Sequence, residues 1–268
     1  MTNLEDNAAD ILGKALRGLG LAAADAAEKS GLTEDSVSAL LAGEFDEADA
    51  CALAGALQLN PAALARVARG TFRPDVPHPA NLVPVATAFG DMTVNAYVVW
   101  DQEKRVGAIF DTGADAAPIL ELVEREDLDI VALFLTHSHA DHIAALGELT
   151  RELEVEAWSS EAEPVPGTRN FRPGDYFNVG RHFIRTRLTP GHSPGGATFI
   201  IEGHTVQAAV VGDALFAGSI GGVRGDYPST LATIRREILG LPDDTILCPG
   251  HGPLTTVALE KANNPFFA

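Results

Sequence analysis

The sequence predicts a mixed α/β domain preceded by a small all-helical domain. Within residues 1–71, apolar side chains recur at helical spacing, and glycines divide the segment into short helices. Beyond a proline-rich stretch, apolar runs rich in β-branched residues alternate with helical stretches, which is typical of layered α/β domains. We therefore expect a helical domain over 1–71, a stiff linker over 72–84 and an α/β (α+β) domain over 85–268.

Local patterns predict the elements of each domain. The first helix has one apolar face, made by Ile11, Leu12, Ala15, Leu16 and Leu19. Thr33 suits the start of a later helix, and Pro61 suits the first turn of another. Predicted strands cover 94–100, 106–110, 130–135, 182–188, 197–201 and 206–211. Predicted helices of the second domain cover 116–125, 143–153 and 228–239.

Composition limits the classes of function. The formal net charge of -18 opposes binding to a phosphate backbone. No apolar run approaches the roughly 20 residues that span a bilayer. The first ten residues are acidic and do not resemble a signal peptide, and Cys51 and Cys248 form no disulfide framework. These features predict a cytoplasmic protein without a membrane partner.

The helical domain resembles the helix-turn-helix of phage-repressor-like domains, most clearly over Leu21–Gly43. Residues 1–70 carry five basic and eleven acidic side chains, and the segment Glu34–Leu41 that would enter the major groove has no Arg or Lys. Because DNA-binding helices need basic contacts to phosphates, we do not expect nucleic-acid binding. The alternatives are a packing module, a surface for homodimers or a lid over an active site.

A dense cluster of metal-ligand residue types follows the predicted strand 130–135. The segment Thr136–His142 contains His137, His139, Asp141 and His142. Alternation along an extended segment lets His137 and His139 face the same way, and the acid and last histidine begin a helix. Imidazole nitrogens and carboxylate oxygens suit Zn, Fe and Mn. The pattern therefore predicts a metal site at a strand end.

This His-x-His-x-Asp-His pattern resembles that of the metallo-β-lactamase superfamily. Later motifs come in the family's order: Thr189–Gly196 around His192, Val211–Ser219 around Asp213, and Pro249–Pro253 around His251. Phe110–Gly113 matches the family's early strand-end aspartate. The resemblance covers about residues 80–268 and implies an αββα sandwich that carries a metal-dependent hydrolase, which uses a metal-bound hydroxide.

The resemblance also implies a role for each residue. One ion would be held by His137, His139 and His192, the other by Asp141, His142 and His251. Asp213 would bridge the two ions, and Asp111 would orient a ligand from behind. Asp141 and Asp213 are the expected catalytic carboxylates. Zinc is the expected metal, with iron or manganese as alternatives. We expect His78, His182, His204 and Cys248 to be surface, strand or core residues rather than ligands.

The loop motifs resemble the glyoxalase II-like branch, which hydrolyses thioesters such as hydroxyacyl-glutathione. The expected substrate is therefore a small thioester, or else a lactone or other ester. Arg224 and Tyr227 are candidates to contact a substrate carboxylate. The chain ends soon after His251, so we expect it to lack the C-terminal helical region that helps bind glutathione in classical glyoxalase II.

Two further functions remain open at the level of sequence. A related branch contains mononuclear iron persulfide dioxygenases, which do not need all seven ligands. The chain could instead be a DNA-binding regulator whose metallo-hydrolase fold serves as a sensor, although the acidic first 70 residues oppose it.

Overall fold

The helical N-terminal part contains five short helices in the computed structural model, which describes residues 3–203 and 205–268. The helices are α1 (Ala8–Gly18), α2 (Ala23–Ser30), α3 (Glu34–Leu41), α4 (Glu47–Ala56) and α5 (Pro61–Ala68). Asn7, Thr33, Asp46 and Asn60 cap four of them, each side chain accepting a hydrogen bond from a first-turn backbone N–H. Within the described ranges, no helix has the length and apolarity that a membrane crossing requires.

Two six-stranded sheets follow. The first has the order β1 (Leu82–Phe89), β2 (Met92–Trp100), β3 (Val106–Phe110), β4 (Asp129–Phe134), β5 (Ala157–Ser160), β6 (Arg169–Phe171). The second has the order β12 (Thr255–Thr256), β11 (Ile246–Pro249), β10 (Gln207–Gly212), β9 (Ala197–Glu202), β8 (His182–Leu188), β7 (Tyr176–Val179). Strands β3 to β6 are parallel, as are β10 and β11, whereas the other neighbours are antiparallel.

Helices cover the outer face of each sheet. They are α6 (Ala117–Arg125), α7 (Ala140–Ile143), α8 (Leu146–Glu152), α9 (Tyr227–Glu237) and α10 (Val257–Asn263). Between the sheets, Phe110, Phe134 and Phe199 form an aromatic cluster with ring centroids 5.2–5.5 Å apart. A second core lies between the first sheet and α6, around Ile119 and Leu133. The layer order is therefore αββα, as the resemblance implied.

The helical part shares a core with the second sheet. Leu12 and Leu64 belong to one apolar cluster with Val211 and Leu247 of that sheet. Tyr227 of α9 belongs to the same cluster, and its ring lies so close to Gly18 that a Cβ there would be 2.3 Å from it. The five helices therefore pack against the sheet rather than standing apart from it.

Several boundaries differ from the predictions. Strand β1 begins at Leu82, inside the range assigned to the linker, and Pro84 lies within it. Proline is tolerated there because β1 is an edge strand of its sheet. The predicted helix over 143–153 is split into α7 and α8. Buried His182 lies in β8, with its Nε2 3.1 Å from the Trp100 carbonyl oxygen, whereas His204 lies outside the described residues.

Candidate metal centre

The centre lies where strands of both sheets end. The segment after β4 carries His137 and His139, and α7 carries Asp141 and His142. The loop after β8 supplies His192, while the ends of β10 and β11 supply Asp213 and His251. All seven predicted ligands therefore meet at one edge of the sandwich, in two groups: His137, His139, His192 and Asp213; and Asp141, His142 and His251.

In the first group, three imidazole nitrogens converge. His139 Nδ1 lies 3.0 Å from His137 Nε2 and 2.9 Å from His192 Nε2. These separations are close to the edge of about 3.3 Å expected for a tetrahedron with bonds of about 2.0 Å to nitrogen. Geometry and residue type therefore suit one divalent ion.

In the second group, a carboxylate faces two imidazoles. Asp141 Oδ2 lies 3.2 Å from His251 Nε2 and 3.5 Å from His142 Nε2. All three residues are buried. An acid and two histidines form a common set of ligands for a divalent ion.

Asp213 stands between the two groups. Its Oδ1 lies 3.3 Å from His142 Nε2, and its Oδ2 lies 3.3 Å from His192 Nε2 and 3.5 Å from His251 Nε2. One carboxylate thus directs one oxygen toward each group, with Oδ2 also near His251. This is the arrangement that a bridging ligand requires.

The outer ring nitrogens have protein partners. His142 Nδ1 lies 2.8 Å from Asp111 Oδ2, and His251 Nδ1 lies 2.7 Å from the Thr93 carbonyl oxygen. His192 Nδ1 is 3.0 Å from the Gly222 carbonyl oxygen. Such bonds fix the ring orientation and tautomer, so that Nε2 is left to bind a metal.

Asp111 contacts the first motif from behind the ligand residues. Its Oδ1 accepts from the Thr136 N–H at 2.7 Å, and its Oδ2 accepts from the Thr136 hydroxyl at 2.8 Å. The hydroxyl oxygen in turn lies 3.0 Å from His137 Nδ1. Asp111 therefore contacts His142 directly and His137 through Thr136.

Glycines leave room for the centre. A Cβ on Gly250 would lie 2.2 Å from Asp213 Oδ1 and 2.6 Å from a carbon of the His142 ring. A Cβ on Gly221 would lie 1.9 Å from the Asp213 carbonyl oxygen and 3.0 Å from His192 Nδ1. The glycines of these motifs are thus required because backbone approaches the ligands closely.

The electrostatics of the bare residues favour a cation. His142 Nε2 and Asp213 Oδ1 are buried and make no hydrogen bond with any residue that the structure describes. Burial lowers the pKa of His137 to about 2. Burial also acts to lower the pKa of His142, but the carboxylates of Asp111 and Asp213 raise it to about 10. For His251, the carboxylates of Asp141 and Asp213 outweigh burial in the same way and raise the pKa to about 11. Buried polar atoms without partners are costly, and divalent ions would satisfy them.

A cavity of about 270 Å³ opens beside His192. Its lining includes Ser193, Thr230 and the exposed Arg224. Tyr227 is only 6% exposed, does not line this cavity and packs in the core against Gly18. The structure therefore gives Tyr227 a packing position, and Arg224 is left as the candidate substrate contact.

Glu163 connects two ligand loops, although it belongs to no sequence motif. Its carboxylate accepts hydrogen bonds from the Ser138 N–H at 2.9 Å and the Gly195 N–H at 2.8 Å, and also from the Ser138 hydroxyl. It thereby ties the His137–His139 segment to the loop of His192. A single acid outside every motif could be found only from the folded chain.

Comparison with known proteins places these motifs in a family. A model of the metallo-β-lactamase superfamily matches residues 89–251. Hydroxyacylglutathione hydrolase GloC of Haemophilus influenzae is 37% identical over 212 residues, which cover 69% of this chain and 96% of that protein. Human mitochondrial persulfide dioxygenase ETHE1 is 30% identical over 180 residues, covering 63% of this chain and 69% of the relative. The crystal structure of BLEG-1 B3 metallo-β-lactamase superposes with a TM-score of 0.61 at 29% identity, covering 69% of this chain and all of that one.

Proposed function

We propose that this chain, which belongs to the metallo-β-lactamase superfamily and is a metal-dependent hydrolase, holds two divalent ions and hydrolyses thioesters of the hydroxyacyl-glutathione type. The reaction adds water to the acyl carbon and releases a carboxylic acid and a thiol. One observation carries the dinuclear proposal: Asp213 directs its two oxygens toward two separate groups of ligands.

The set of histidine and aspartate ligands fits zinc, and it would also suit iron or manganese. Two divalent ions, when bound, lower the pKa of a water molecule and polarise the substrate carbonyl. The protein's own residues fix the ligands: Asp111 orients His142, and Glu163 holds together the loops of His137 and His192. This preorganised site requires no serine or cysteine nucleophile.

Asp141 is the proposed proton acceptor. Asp141 is 8% exposed and lies at the centre, with Oδ2 3.2 Å from His251 Nε2. Burial acts to raise its pKa, but a hydrogen bond from His251 and the charge of His142 hold the pKa below the usual range. In this role Asp141 takes a proton from the attacking water and passes it to the departing thiolate sulfur. Burial acts to raise the pKa of Asp213, but the adjacent imidazoles of His142 and His251 outweigh it and lower the pKa, so Asp213 stays ionised.

The cavity beside His192 suits the thiol arm of a thioester. Its volume of about 270 Å³ accommodates part of a small molecule, and Arg224 can pair with a carboxylate of that arm. The relative GloC, named as a hydroxyacylglutathione hydrolase, supports this substrate class. Lactones and other esters are the next candidates, because the same attack on a carbonyl cleaves them.

Metal analysis of the purified protein, paired with turnover of S-lactoylglutathione and a lactone panel, tests the proposal. We expect about two ions per chain and release of free thiol. Arg224→Ala should raise KM for the glutathione thioester much more than for a thioester with a neutral thiol arm. Two ions without hydrolysis of any thioester would refute the substrate class.

The similarity to ETHE1 favours one second candidate, a mononuclear iron persulfide dioxygenase. One iron per chain, with oxygen consumed on glutathione persulfide, would overturn the hydrolase proposal.

A cytoplasmic location fits the two free cysteines, Cys51 and Cys248. The helical part is also a proposed homodimer surface, which sedimentation of the purified protein would test.

A further inference from the structure

A partly buried ion pair joins the helical part to the metal centre. Lys14 of α1 donates to the carboxylate of Asp6, and it also donates to the Ile220 carbonyl oxygen at 2.8 Å. The side chains are only 13% and 9% exposed, respectively. Neither residue belongs to a family motif, and both lie outside the matched residues 89–251.

The ion pair forms hydrogen bonds with the segment that follows Asp213. This segment, Phe216–Ile220, begins three residues after Asp213 and is defined here as the bridge loop. The Ser219 hydroxyl donates to Asp6 Oδ2. Each member of the pair thus makes a hydrogen bond with the loop.

The bridge loop contacts the second group of ligands. The Phe216 ring packs edge-on against the His251 imidazole, with centroids 5.6 Å apart and an interplanar angle of 87°. The Lys14 ammonium lies 5.0 Å from the centre of that same ring, which is within cation–π range. The bridge loop therefore connects the ion pair to both ligand residues: to His251 through the Phe216 ring, and to Asp213 along the chain.

A second contact places the N-terminal segment at the centre. The backbone nitrogen of Glu5 would lie 3.2 Å from a Cβ on Gly252, so the segment runs directly past the residue after His251. The opposite side of the bridge loop is held by α10, where Glu260 Oε2 accepts from the Gly218 N–H and Asn264 donates to the Ser219 carbonyl oxygen. The loop is thus clamped between α1 and α10.

We propose that Asp6 and Lys14 are positioning residues of the metal centre, which hold the bridge loop and thereby tighten binding of the ion at Asp141, His142 and His251. This inference rests on the two-ion site of the proposed function. It assigns the helical part a role in the centre, in place of the nucleic-acid contact that its helix-turn-helix likeness suggests.

The expected size of the effect follows from the way the contacts are built. Removing one member of a buried ion pair leaves the other charge without a partner, so the loop must rearrange. Residues that act on a metal through its ligands commonly change affinity by about 10–100-fold. Because the pair acts through Phe216 and Asp213, we expect a loss of about ten-fold for one of the two ions.

Zinc affinity of the full chain is the measurement. The zinc-loaded protein is titrated with a chelator, and release of each ion is followed for Lys14→Met, Asp6→Asn and Lys14→Arg. Lys29→Met, at an exposed lysine of α2, serves as the matched control. We expect one ion to be lost about ten-fold more readily in Lys14→Met and Asp6→Asn, with Lys14→Arg and Lys29→Met close to the parent.

Circular dichroism identifies variants that fail to fold, and Asp6→Asn, which keeps an amide oxygen for Lys14, provides the test if Lys14→Met does not fold. Cobalt substitution adds a spectrum that reports ligand geometry at the weakened site. Release of both ions at the parental chelator concentration from folded Lys14→Met or Asp6→Asn would overturn the inference. No substrate is used, so failure to cleave thioesters would leave this result unaffected.

Discussion

At the scale of single residues, the centre depends on one carboxylate that two groups of ligands share. Asp213 is 7% exposed, and its oxygens lie 3.3 Å from nitrogens in both groups. A methyl group in its place would leave His142 Nε2 without its nearest carboxylate oxygen. The two ions would then also repel each other without an anion between them.

Asp213→Ala should therefore lose metal as well as activity. We expect the rate of hydrolysis to fall by more than about 100-fold, since even residues behind the ligands contribute about 10–100-fold to such sites. Metal content and turnover are measured on the same preparation. Asp243→Ala, at a side chain that is 71% exposed, is the control. Full metal loading and turnover in Asp213→Ala would show that the bridge is misassigned.

Metal binding should release protons at neutral pH. The pKa values of His142 and His251 are raised to about 10 and about 11, so both rings are cationic, with a proton on each nitrogen, at pH 7.5 when no metal is bound. Each must lose its Nε2 proton to bind an ion, and a metal-bound water that ionises would release a third, so zinc binding should release about two to three protons per chain. Calorimetry of zinc binding in two buffers of different ionisation enthalpy measures the number. Binding without any release would contradict the assignment.

Sequence motifs predict which residues converge at the centre, and also Asp111 behind them, whereas three other supporting side chains belong to no motif. Four ligands lie within six residues after a strand, and the other three stand in glycine-rich turns whose spacing is local. Glu163, Asp6 and Lys14 each contribute one side chain across a long sequence separation. No periodicity or motif marks such residues, because only the folded chain brings them to the site.

At the scale of elements, α10 supports the bridge loop through a buried acid. Glu260 is fully buried, and it accepts hydrogen bonds from Thr255, Asn264 and the Gly218 N–H. Burial raises its pKa to about 7, against which these three hydrogen bonds act. The carboxyl group therefore gains its charge in the folded protein only near neutral pH.

This shift predicts how stability depends on pH. A group whose folded pKa lies above its unfolded value of 4.5 contributes stability below that value, and the contribution is lost as pH rises through about 7. The free energy of unfolding of the metal-free protein should thus fall more steeply between pH 5 and pH 8 than that of Glu260→Gln, by about 1–3 kcal/mol. Urea unfolding at both pH values measures the difference, with the exposed Glu148→Gln as control. Equal slopes for Glu260→Gln and the parent would contradict the shift.

The elements also show where sequence patterns fail. Strands β2 and β8 were predicted within about two residues at their ends, whereas the eight-residue β1 was not predicted, because Pro84 placed its start in the proline-rich linker. Strands β5, β6 and β11 have only three or four residues, too few to show a period. They are recognisable only through their pairing with neighbours. The parallel strand β11 nevertheless positions His251, so a short element carries a ligand.

At the scale of the whole molecule, charge opposes a nucleic-acid partner. The net charge is -18, and α3 places Glu34 and Asp35 in its first turn with no basic residue in its last. We therefore expect no measurable binding to duplex DNA even at about 50 mM salt, where electrostatic attraction is strong. Fluorescence anisotropy with labelled DNA measures this. Binding that weakens steeply as salt is added would contradict the expectation and revive the regulator hypothesis.

The shared core predicts that the helical part and the αββα sandwich unfold together. The proline-rich stretch at residues 72–84 predicts a boundary between two domains, and composition does not reveal which apolar faces meet across it. In the fold, Leu12, Leu64 and Phe72 lie in one cluster with Val211 and Leu247. Separating the two parts would expose this apolar surface to water, at a cost of roughly 25 cal/mol per Å².

Calorimetry should therefore record a single cooperative transition for the full chain. The same midpoint is expected from far-ultraviolet circular dichroism, which is sensitive to the helices, and from the fluorescence of Trp100 and Trp158, which both lie in the first sheet. Leu64→Ala, a buried leucine of α5, should lower both midpoints together, with a loss of about 2–5 kcal/mol. If Leu64→Ala instead moved the circular dichroism transition alone, the helices would be an independent domain. The ion pair of Asp6 and Lys14 would then have to hold the bridge loop without support from a common core.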